Sequence, residues 1–375
     1  MRKLLCLLAV LSFFILGIPV QAEGEPDIGS TQAILVDSNS GQVLYEKGSA
    51  DAIAGGASAK LMAVYAYQGK DTVSYKAPQD VNFPSSLPLE EGKEIPAEDL
   101  KQAVMIGGYD DCAYALSLGD KNIVKHMDQL AKDMQLSGTK FTDSYDSGKK
   151  EQTSTVKDLA GIGRLFTSEK ELRPYYSTVQ YTPQDKEPIT RTLPAYDGLV
   201  GGMASGTTAV FSAERGNTKL TVAVSGAVDE NVMQEDIKKL LDYGYANFKS
   251  ALISKDTIGV KEVELKVGDV KKHYKFYMPS DLYALMNAEA DESKLTTDIT
   301  MLDEKDPERI EAYLVISMDG NELGRIRMQR KVSEEHLKSP AEKAKEYFDY
   351  TCLGIAGTGV ILFIFKYVSQ MIKPQ

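Results

Sequence analysis

The sequence has few of the residues that form disulfides and bind metals, with three cysteines and three histidines among 375 residues. Cys6 lies in an N-terminal apolar run that we expect to be removed, so Cys112 and Cys352 remain in the mature chain. We expect no disulfide between them, and no cysteine spacing typical of a metal site is present. The histidines are scattered through the chain: His126, His273 and His336. The sequence therefore predicts neither a bound metal nor a cofactor.

The sequence also has no dense basic stretch, although it contains 43 lysine and arginine residues. Its formal net charge is −11. Nucleic acid is therefore not an expected partner. Hydrophobic residues make up 43% of the chain, which excludes a disordered protein, and the length is enough for two domains. No internal repeat or low-complexity tract interrupts this composition.

Residues 1–22 have the three parts of a signal peptide. Arg2 and Lys3 give a positive start, the apolar run 4–18 follows, and small residues in Val20-Gln21-Ala22 provide a cleavage site. The sequence predicts export on this basis, with a first transmembrane helix as the alternative.

Residues 351–372 predict a C-terminal membrane anchor. The uncharged run 351–365 is shorter than the ~20 residues that a spanning helix needs, but it becomes long enough if Lys366 snorkels. Lys366 and Lys373 would then face the cytoplasm and place the exported domains at the extracytoplasmic face. The alternative is a helix that lies in the membrane interface.

Residues 26–250 combine strands and helices. The segments 32–37 and 42–46 flank a turn-rich tetrad, and two more strands are predicted at 208–213 and 220–224. Helical patterns lie between these strands, at 58–67, 96–99, 123–134 and 155–166. The pattern predicts an α+β domain, in which helices cover an antiparallel sheet.

Residues 256–332 predict a small all-β domain, because apolar and charged residues alternate there. Residues 333–350 are charged and helix-prone, and predict a helical linker to the membrane anchor. Two local signals are specific. Thr155 and Asp158 resemble a capping box, and Asp319-Gly320 between two apolar runs predicts a tight hairpin turn.

This order of elements resembles a known family. Its most specific stretches are 33–37, 41–47, 60–62, 153–160 and 197–199. They are similar to segments of the low-molecular-mass penicillin-binding proteins, the serine-type D-alanyl-D-alanine carboxypeptidases. The resemblance covers nearly the whole mature chain, and it implies a penicillin-binding/β-lactamase-like domain, a small β domain and a C-terminal anchor.

The family's first motif, S-x-x-K, provides a nucleophilic Ser and a Lys that accepts its proton. Counting from Tyr45-Glu46-Lys47 without a gap places the family's Lys on Lys60 and its Ser on Ala57, which has no group to attack with. Ser58 is the alternative nucleophile. It stands two residues before Lys60, and positions two apart on a helix do not face each other. Lys60 is left with no obvious partner in the sequence.

The second motif, S-x-N, falls on Gly107 and Tyr109, so neither side chain of the proton relay is kept. Tyr109 is a phenol, a poor base at neutral pH, and we expect it to fill the cleft. Asp110 and Asp111 follow at a helix start, where adjacent acids usually act as a cap.

The third motif, K-T-G, falls on Val200, Gly201 and Gly202. In the family the Lys helps to hold the substrate's terminal carboxylate. Val200 cannot make a charge-assisted hydrogen bond, and Gly202 alone keeps the family's residue type.

The three replacements predict a catalytically inactive homologue that binds peptidoglycan or a wall-synthesis protein, or regulates an active relative. Two alternatives stay open. One is a working carboxypeptidase with relocated groups that uses Ser58 or another Ser. The other is a structural role in which the β domain provides the interaction surface and the cleft does nothing.

Overall fold

The computed structural model describes residues 24–79, 81, 83, 85–191, 193–268, 270–336 and 342. The predicted signal peptide at 1–22 and the predicted anchor at 351–372 lie outside these residues. Among the residues that are described, no helix has both the length and the apolar character needed to cross a bilayer.

The elements of the described residues follow in chain order. The strands are β1 (Gln32–Asp37), β2 (Val43–Lys47), β3 (Ile53–Ala54), β4 (Thr72–Ser74), β5 (Glu94–Pro96), β6 (Thr153–Ser154), β7 (Gln180–Tyr181), β8 (Ile189–Thr190), β9 (Leu199–Ser205), β10 (Thr208–Arg215), β11 (Thr218–Ser225), β12 (Phe248–Ile253), β13 (Lys261–Val267), β14 (Val270–Tyr277), β15 (Leu282–Asn287), β16 (Leu295–Leu302), β17 (Glu311–Met318), β18 (Asn321–Arg327) and β19 (Gln329–His336). The helices are α1 (Gly56–Ala66), α2 (Ala97–Gly107), α3 (Asp110–Gly119), α4 (Ile123–Asp133), α5 (Val156–Ser168), α6 (Arg173–Ser177), α7 (Glu230–Asn247) and α8 (Lys255–Ile258).

The chain divides into two compact units. The first contains the residues up to Ile253 together with Leu282–Lys294, and the second contains Ser254–Asp281 and the residues from Leu295 onward. The sequence analysis assigned 282–294 to the β domain at 256–332. The structure assigns them to the first unit, because β15 pairs along its whole length with β12, from Phe248 opposite Asn287 to Ile253 opposite Leu282.

The first unit is built on a five-stranded antiparallel sheet in the order β2-β1-β11-β10-β9. Side chains alternate across the sheet, so that Ile34 and Val36 join the core on the side of α1 and α5, while Leu35 joins the core on the side of α7. Both faces are therefore buried under helices. This confirms the predicted antiparallel sheet covered by helices.

Three helices bring the motif positions together. Helix α1 is apolar nearly all round and is buried along its length, as expected for a central helix. Helix α2 is capped by Gly108, whose positive φ of 61° lets the chain turn into α3 two residues later. Helix α5 begins at Thr155, whose hydroxyl accepts a hydrogen bond from the Asp158 amide at 3.0 Å, as the capping signal predicted.

The second unit contains two three-stranded sheets, β13-β14-β19 and β16-β17-β18. The predicted turn at Asp319-Gly320 is confirmed, because both residues have positive φ between β17 and β18. The predicted start of the helical linker at residue 333 is wrong. Residues 333–336 continue β19, which pairs with β14 as far as Val270 opposite His336.

Candidate active site

Ala57, the position that the sequence analysis matched to the family's nucleophile, lies at the start of α1. Ala57 is 3% exposed and presents only a methyl group. One residue earlier, a side chain on Gly56 would overlap the carboxylate of Asp146. The start of α1 is therefore packed against an acidic side chain and carries no nucleophile at the matched position.

Lys60 has the partner that the sequence did not reveal. It is 2% exposed, its Nζ lies 3.1 Å from Oδ1 of Asp110, and it donates to the Gly108 carbonyl at 2.9 Å. Both side chains of this ion pair are buried. Lys60 thus acts as a donor to two acceptors in the turn between α2 and α3.

The acids at the start of α3 do more than cap it. Asp110 also accepts the amides of Asp146 at 2.9 Å and Ser85 at 3.1 Å. Asp111 accepts the amides of Leu87 and Cys112 and the hydroxyl of Ser86. Both lie in the first turn, where negative charge is favoured, but most of their hydrogen bonds go to neighbouring loops. Burial raises the pKa of Asp111, against the lowering effect of these donors.

Ser58 is directed elsewhere. Its hydroxyl donates to the Ser154 hydroxyl at 2.8 Å, and Ser154 lies 2.9 Å from the Thr139 hydroxyl, which donates to Asp158. This buried chain links α1 to α5 and the loop before β6. The structure does not bring Ser58 to Lys60, in agreement with their spacing on the helix.

Gly107 and Tyr109 occupy the same space. A side chain on Gly107 would overlap the ring of Tyr109, which is half-buried. The ring therefore lies where a side chain at position 107 would extend. We call Ala57, Lys60, Gly107, Tyr109 and Asp110 the helix wall of the cleft.

The third motif lies on β9, the edge strand of the central sheet. A side chain on Gly201 would collide with the Tyr176 carbonyl of α6, and one on Gly202 would collide with the ring of Phe211. Glycine is therefore required at both positions by close packing. Val200 is partly exposed. We call Val200, Gly201 and Gly202 the strand wall.

Arg191 links α2, α6 and β9, and the sequence analysis did not single it out. Its guanidinium donates to the carbonyls of Met105 in α2 at 3.0 Å, Tyr176 in α6 and Gly202 in β9. Burial lowers its pKa to about 10. Its Nε finds no acceptor among the described residues. The sequence around it, Thr190-Arg191-Thr192, carries no pattern that indicates this role.

The arrangement offers one buried lysine–aspartate pair and one partly buried guanidinium that binds carbonyls. Within the described part of the chain, no group of three His, Cys, Asp or Glu residues is arranged to hold a metal. This geometry can bind and position backbone groups. It supplies no nucleophile at the matched position.

Comparison with known proteins decides the family. Residues 19–227 match the family model described as D-alanyl-D-alanine carboxypeptidase. The chain belongs to this family. The match extends from before β1 to the end of β11 and contains every motif position of both walls, so the resemblance predicted from the sequence is confirmed.

Curated members of the D-alanyl-D-alanine carboxypeptidase family are distant relatives of this chain. DacF of Bacillus subtilis is 24% identical over 271 residues, which are 64% of this chain and 68% of DacF. DacC of Escherichia coli is 25% identical over 254 residues, 60% of this chain and 63% of DacC. At these identities, a role of this chain in cell-wall chemistry is a proposal.

Solved structures of penicillin-binding proteins share the fold over most of the chain. Penicillin binding protein 5 from Haemophilus influenzae has a TM-score of 0.68 at 20% identity and covers 83% of this chain and 99% of its own. Penicillin binding protein 6B from Escherichia coli has a TM-score of 0.64 at 18% identity, with 83% and 98% covered. The predicted penicillin-binding-like α+β fold is therefore confirmed.

Proposed function

We propose that this chain is a catalytically inactive member of the D-alanyl-D-alanine carboxypeptidase family that acts by binding at the cell wall. The observation that carries this proposal is the helix wall. Ala57 stands at the nucleophile position, and the lysine one turn later is paired with Asp110 at 3.1 Å. Its partners would be peptidoglycan or a wall-synthesis protein, and its role would be scaffolding or regulation.

The chemistry of the family makes these replacements costly. Acyl transfer by a serine enzyme needs a hydroxyl and a base that can take its proton. Ala57 provides no hydroxyl, and Lys60 donates to Gly108 and Asp110. Loss of the serine alone costs about a million-fold in kcat in a protease where it was measured. The remaining rate would be too low to be a function.

Close packing at the matched positions supports binding elsewhere on the molecule. The Tyr109 ring lies against Gly107, α6 lies against Gly201, and Arg191 links α2, α6 and β9. This favours a role in which the fold acts as a scaffold over one in which the old cleft selects a substrate.

The location of this role is also a proposal. The predicted signal peptide at 1–22 and anchor at 351–372 would hold the folded units at the extracytoplasmic face of the membrane. Cell fractionation, N-terminal sequencing of the mature chain and protease accessibility in intact cells test this. A mature chain that begins with Met1, or that is recovered without membranes, would contradict it.

The activity test uses the full-length chain in detergent. A fluorescent penicillin and a pentapeptide ending in D-Ala-D-Ala are supplied in parallel, with an active family member as positive control. We expect no covalent label and no released D-alanine. Stoichiometric labelling would overturn the proposal. If labelling is lost in Ser58→Ala, it would establish the relocated nucleophile.

A second arm tests whether the nucleophile alone is missing. We expect Ala57→Ser to remain unlabelled, because Lys60 still donates to Asp110 and the polar residues of the strand wall are still absent. Strong acylation of Ala57→Ser would show that the rest of the machinery is intact. Co-sedimentation of the unmodified chain with purified sacculi then distinguishes peptidoglycan from protein partners.

A further inference from the structure

A groove in the first unit is lined by other residues than the two walls of the cleft. It contains about 530 Å³ of empty space including its open mouth, which is within the range of ligand pockets. Three parts of the chain form it: the segment 87–96 that leads into α2, the first two turns of α2, and residues 183–186 between β7 and β8. We call it the α2 groove.

The interior of the α2 groove is largely apolar. Two of its side chains belong to α2 and are buried, Leu100 and Ala103. The segment before α2 adds three partly buried aliphatic side chains: Leu87, Leu89 and Ile95. A ligand that fills this interior must therefore bring an apolar stem.

A buried carboxylate belongs to this apolar lining. Asp99 of α2 is 6% exposed. Its Oδ1 accepts the Tyr181 hydroxyl at 2.6 Å, and its Oδ2 accepts the Gln184 amide at 2.7 Å. Both donors are neutral. Because a carboxylate offers about four acceptor positions, Asp99 can still accept a further donor.

The lysines of the groove do not offset the charge of Asp99. Lys93 and Lys186 face Glu90 instead, at 3.7 and 3.9 Å, and Lys186 also donates to the Pro88 carbonyl. In the described part of the chain, Asp99 has no ion pair. The first turn of α2 supplies only a partial positive charge. Buried charges are normally paired, so a cation in the groove would be favourable.

The rim of the groove adds to this negative charge. Glu94 and Asp185 are exposed there, and neither carboxylate has a partner among the described residues. Four carboxylates and two ammonium groups line the groove in all, which leaves a formal charge of −2. A cationic ligand is therefore attracted to the mouth, and an anionic one is repelled.

The sides of the groove are fixed to each other without a ligand. Strand β5, in the segment before α2, pairs with β4. Lys186 donates to the Pro88 carbonyl at 2.6 Å and so joins the two segments, while Gln184 is held to Asp99 of α2. A site that is already formed loses little conformational entropy when it binds a ligand.

We propose that the α2 groove binds a lysine side chain of a partner peptide. The aliphatic stem lies on the apolar interior, and the ammonium reaches Asp99. An ammonium is a compact charge that suits one carboxylate, whereas a guanidinium presents a wide planar fork. The exposed Gln184 at the mouth can pair with the peptide backbone. The proposal uses none of the matched catalytic positions, so it is independent of catalytic inactivity.

Calorimetric titration of the full-length chain in phosphatidylcholine nanodiscs tests the proposal. The probe is Nα-acetyl-lysine N-methylamide, and the control probe is its norleucine analogue, which has the same stem without the ammonium. We expect the lysine probe to bind at least about tenfold more tightly, because only its ammonium can make a charge-assisted hydrogen bond. Equal binding of the two probes, or no binding of the lysine probe at millimolar concentration, would overturn the proposal. Tighter binding of free 1,5-diaminopentane would overturn the assignment to a peptide.

Variants of the groove separate its carboxylates. Asp99→Asn should weaken binding of the lysine probe about tenfold and leave the norleucine analogue unchanged. Because Asp99 also holds Gln184, the double variant Glu94→Gln with Asp185→Asn provides a second test that leaves the interior intact. It should weaken binding about two- to fivefold at low salt and less at high salt, since exposed charges are screened.

Glu91→Gln is the matched control, because Glu91 is exposed but does not line the groove. We expect it to leave binding unchanged. If Asp99→Asn does not fold, the double variant decides, and unchanged binding at low salt in that variant contradicts the proposal.

Hydrogen exchange then locates the bound probe. A saturating lysine probe should slow exchange of residues 183–186 several-fold and leave α7 unchanged. Slowing in α1 without slowing in 183–186 would place the probe in the old cleft and overturn the proposal.

Discussion

On the helix wall, Lys60 keeps the family's residue type and has Asp110 as a partner 3.1 Å away. On the strand wall, Val200 and Gly201 replace both polar residues of the motif, and the backbone of α6 closes against Gly201. The helix wall contains a buried lysine that is paired with an aspartate. The strand wall contains no charged side chain, and the main chain of α6 packs against Gly201. The residues at the two sets of matched positions are therefore held by different kinds of contact.

This difference bears on how the site tolerates change. A buried ion pair is sensitive to the loss of one partner, because the other charge is left without compensation. A backbone contact is sensitive to any added atom and indifferent to charge. Substitutions on the two walls should therefore differ in size and in their response to a second mutation.

The largest effect is expected for Asp110→Asn. It leaves the charge of Lys60 buried without a counter-charge, and breaking a buried pair in this way costs ~3–5 kcal/mol. Urea denaturation of the full-length chain measures the loss. We expect the double variant Lys60→Met with Asp110→Asn to recover much of it, because no charge then remains.

Asp111→Asn is the matched control. Asp111 lies next in the chain, but its partners are the neutral groups of Ser86, Leu87 and Cys112. Burial raises its pKa above the unfolded value, so its charge opposes folding and stability falls as pH rises through the folded pKa. We expect Asp111→Asn to cost ~1 kcal/mol or less. Equal losses of unfolding free energy in Asp110→Asn and Asp111→Asn would show that the ion pair with Lys60 adds nothing to the cost of Asp110→Asn.

On the strand wall, Gly201→Ala should cost ~2–3 kcal/mol, because the added methyl must displace the Tyr176 carbonyl or β9 itself. Thermal and urea unfolding both report this. Gly161→Ala in α5 is the control, since its methyl meets only Leu136 at 3.4 Å. Replacing a glycine in a helix interior by alanine stabilises the folded state by up to ~1 kcal/mol. A neutral Gly201→Ala would refute the close approach of α6.

Substitutions of Arg191 test whether α2, α6 and β9 are mechanically joined. Arg191→Met removes donors from three carbonyls but also removes a desolvated cation, so we expect a net loss of ~2 kcal/mol. Hydrogen exchange should rise in both α6 and β9. Arg191→Lys should behave like Arg191→Met, because one ammonium cannot reproduce the planar fork. An effect confined to residues 189–193 would show that Arg191 supports only its own loop.

The fold was predictable where one local rule decides the outcome. Thr155 caps α5 because a hydroxyl before a helix satisfies a free amide, and Asp319-Gly320 turns because both positions take positive φ. The boundaries between the two units were less predictable. The pairing of β15 with β12 joins residues that are distant in the chain, such as Phe248 and Asn287, and no local pattern reveals such a partner.

The contacts of the candidate site could not be predicted from the sequence. The resemblance to the family placed its motifs on Ala57, Gly107 and Val200, and this placement stays a prediction. The Lys60–Asp110 pair was missed because the two residues are distant in the chain and adjacent acids usually act as a cap. Arg191 was missed because its partners are backbone carbonyls, which every residue has.

The smallest predicted effect concerns Gly107 and Tyr109. Gly107→Ala alone should be close to neutral, because the gain in helix propensity is offset by displacement of the Tyr109 ring. In a Tyr109→Ala background the same change should stabilise by ~1 kcal/mol, because the ring is gone. The coupling energy from the double-mutant cycle would then be ~1 kcal/mol. A coupling near zero would mean that the ring moves away freely, and the space above Gly107 would then be open to a ligand.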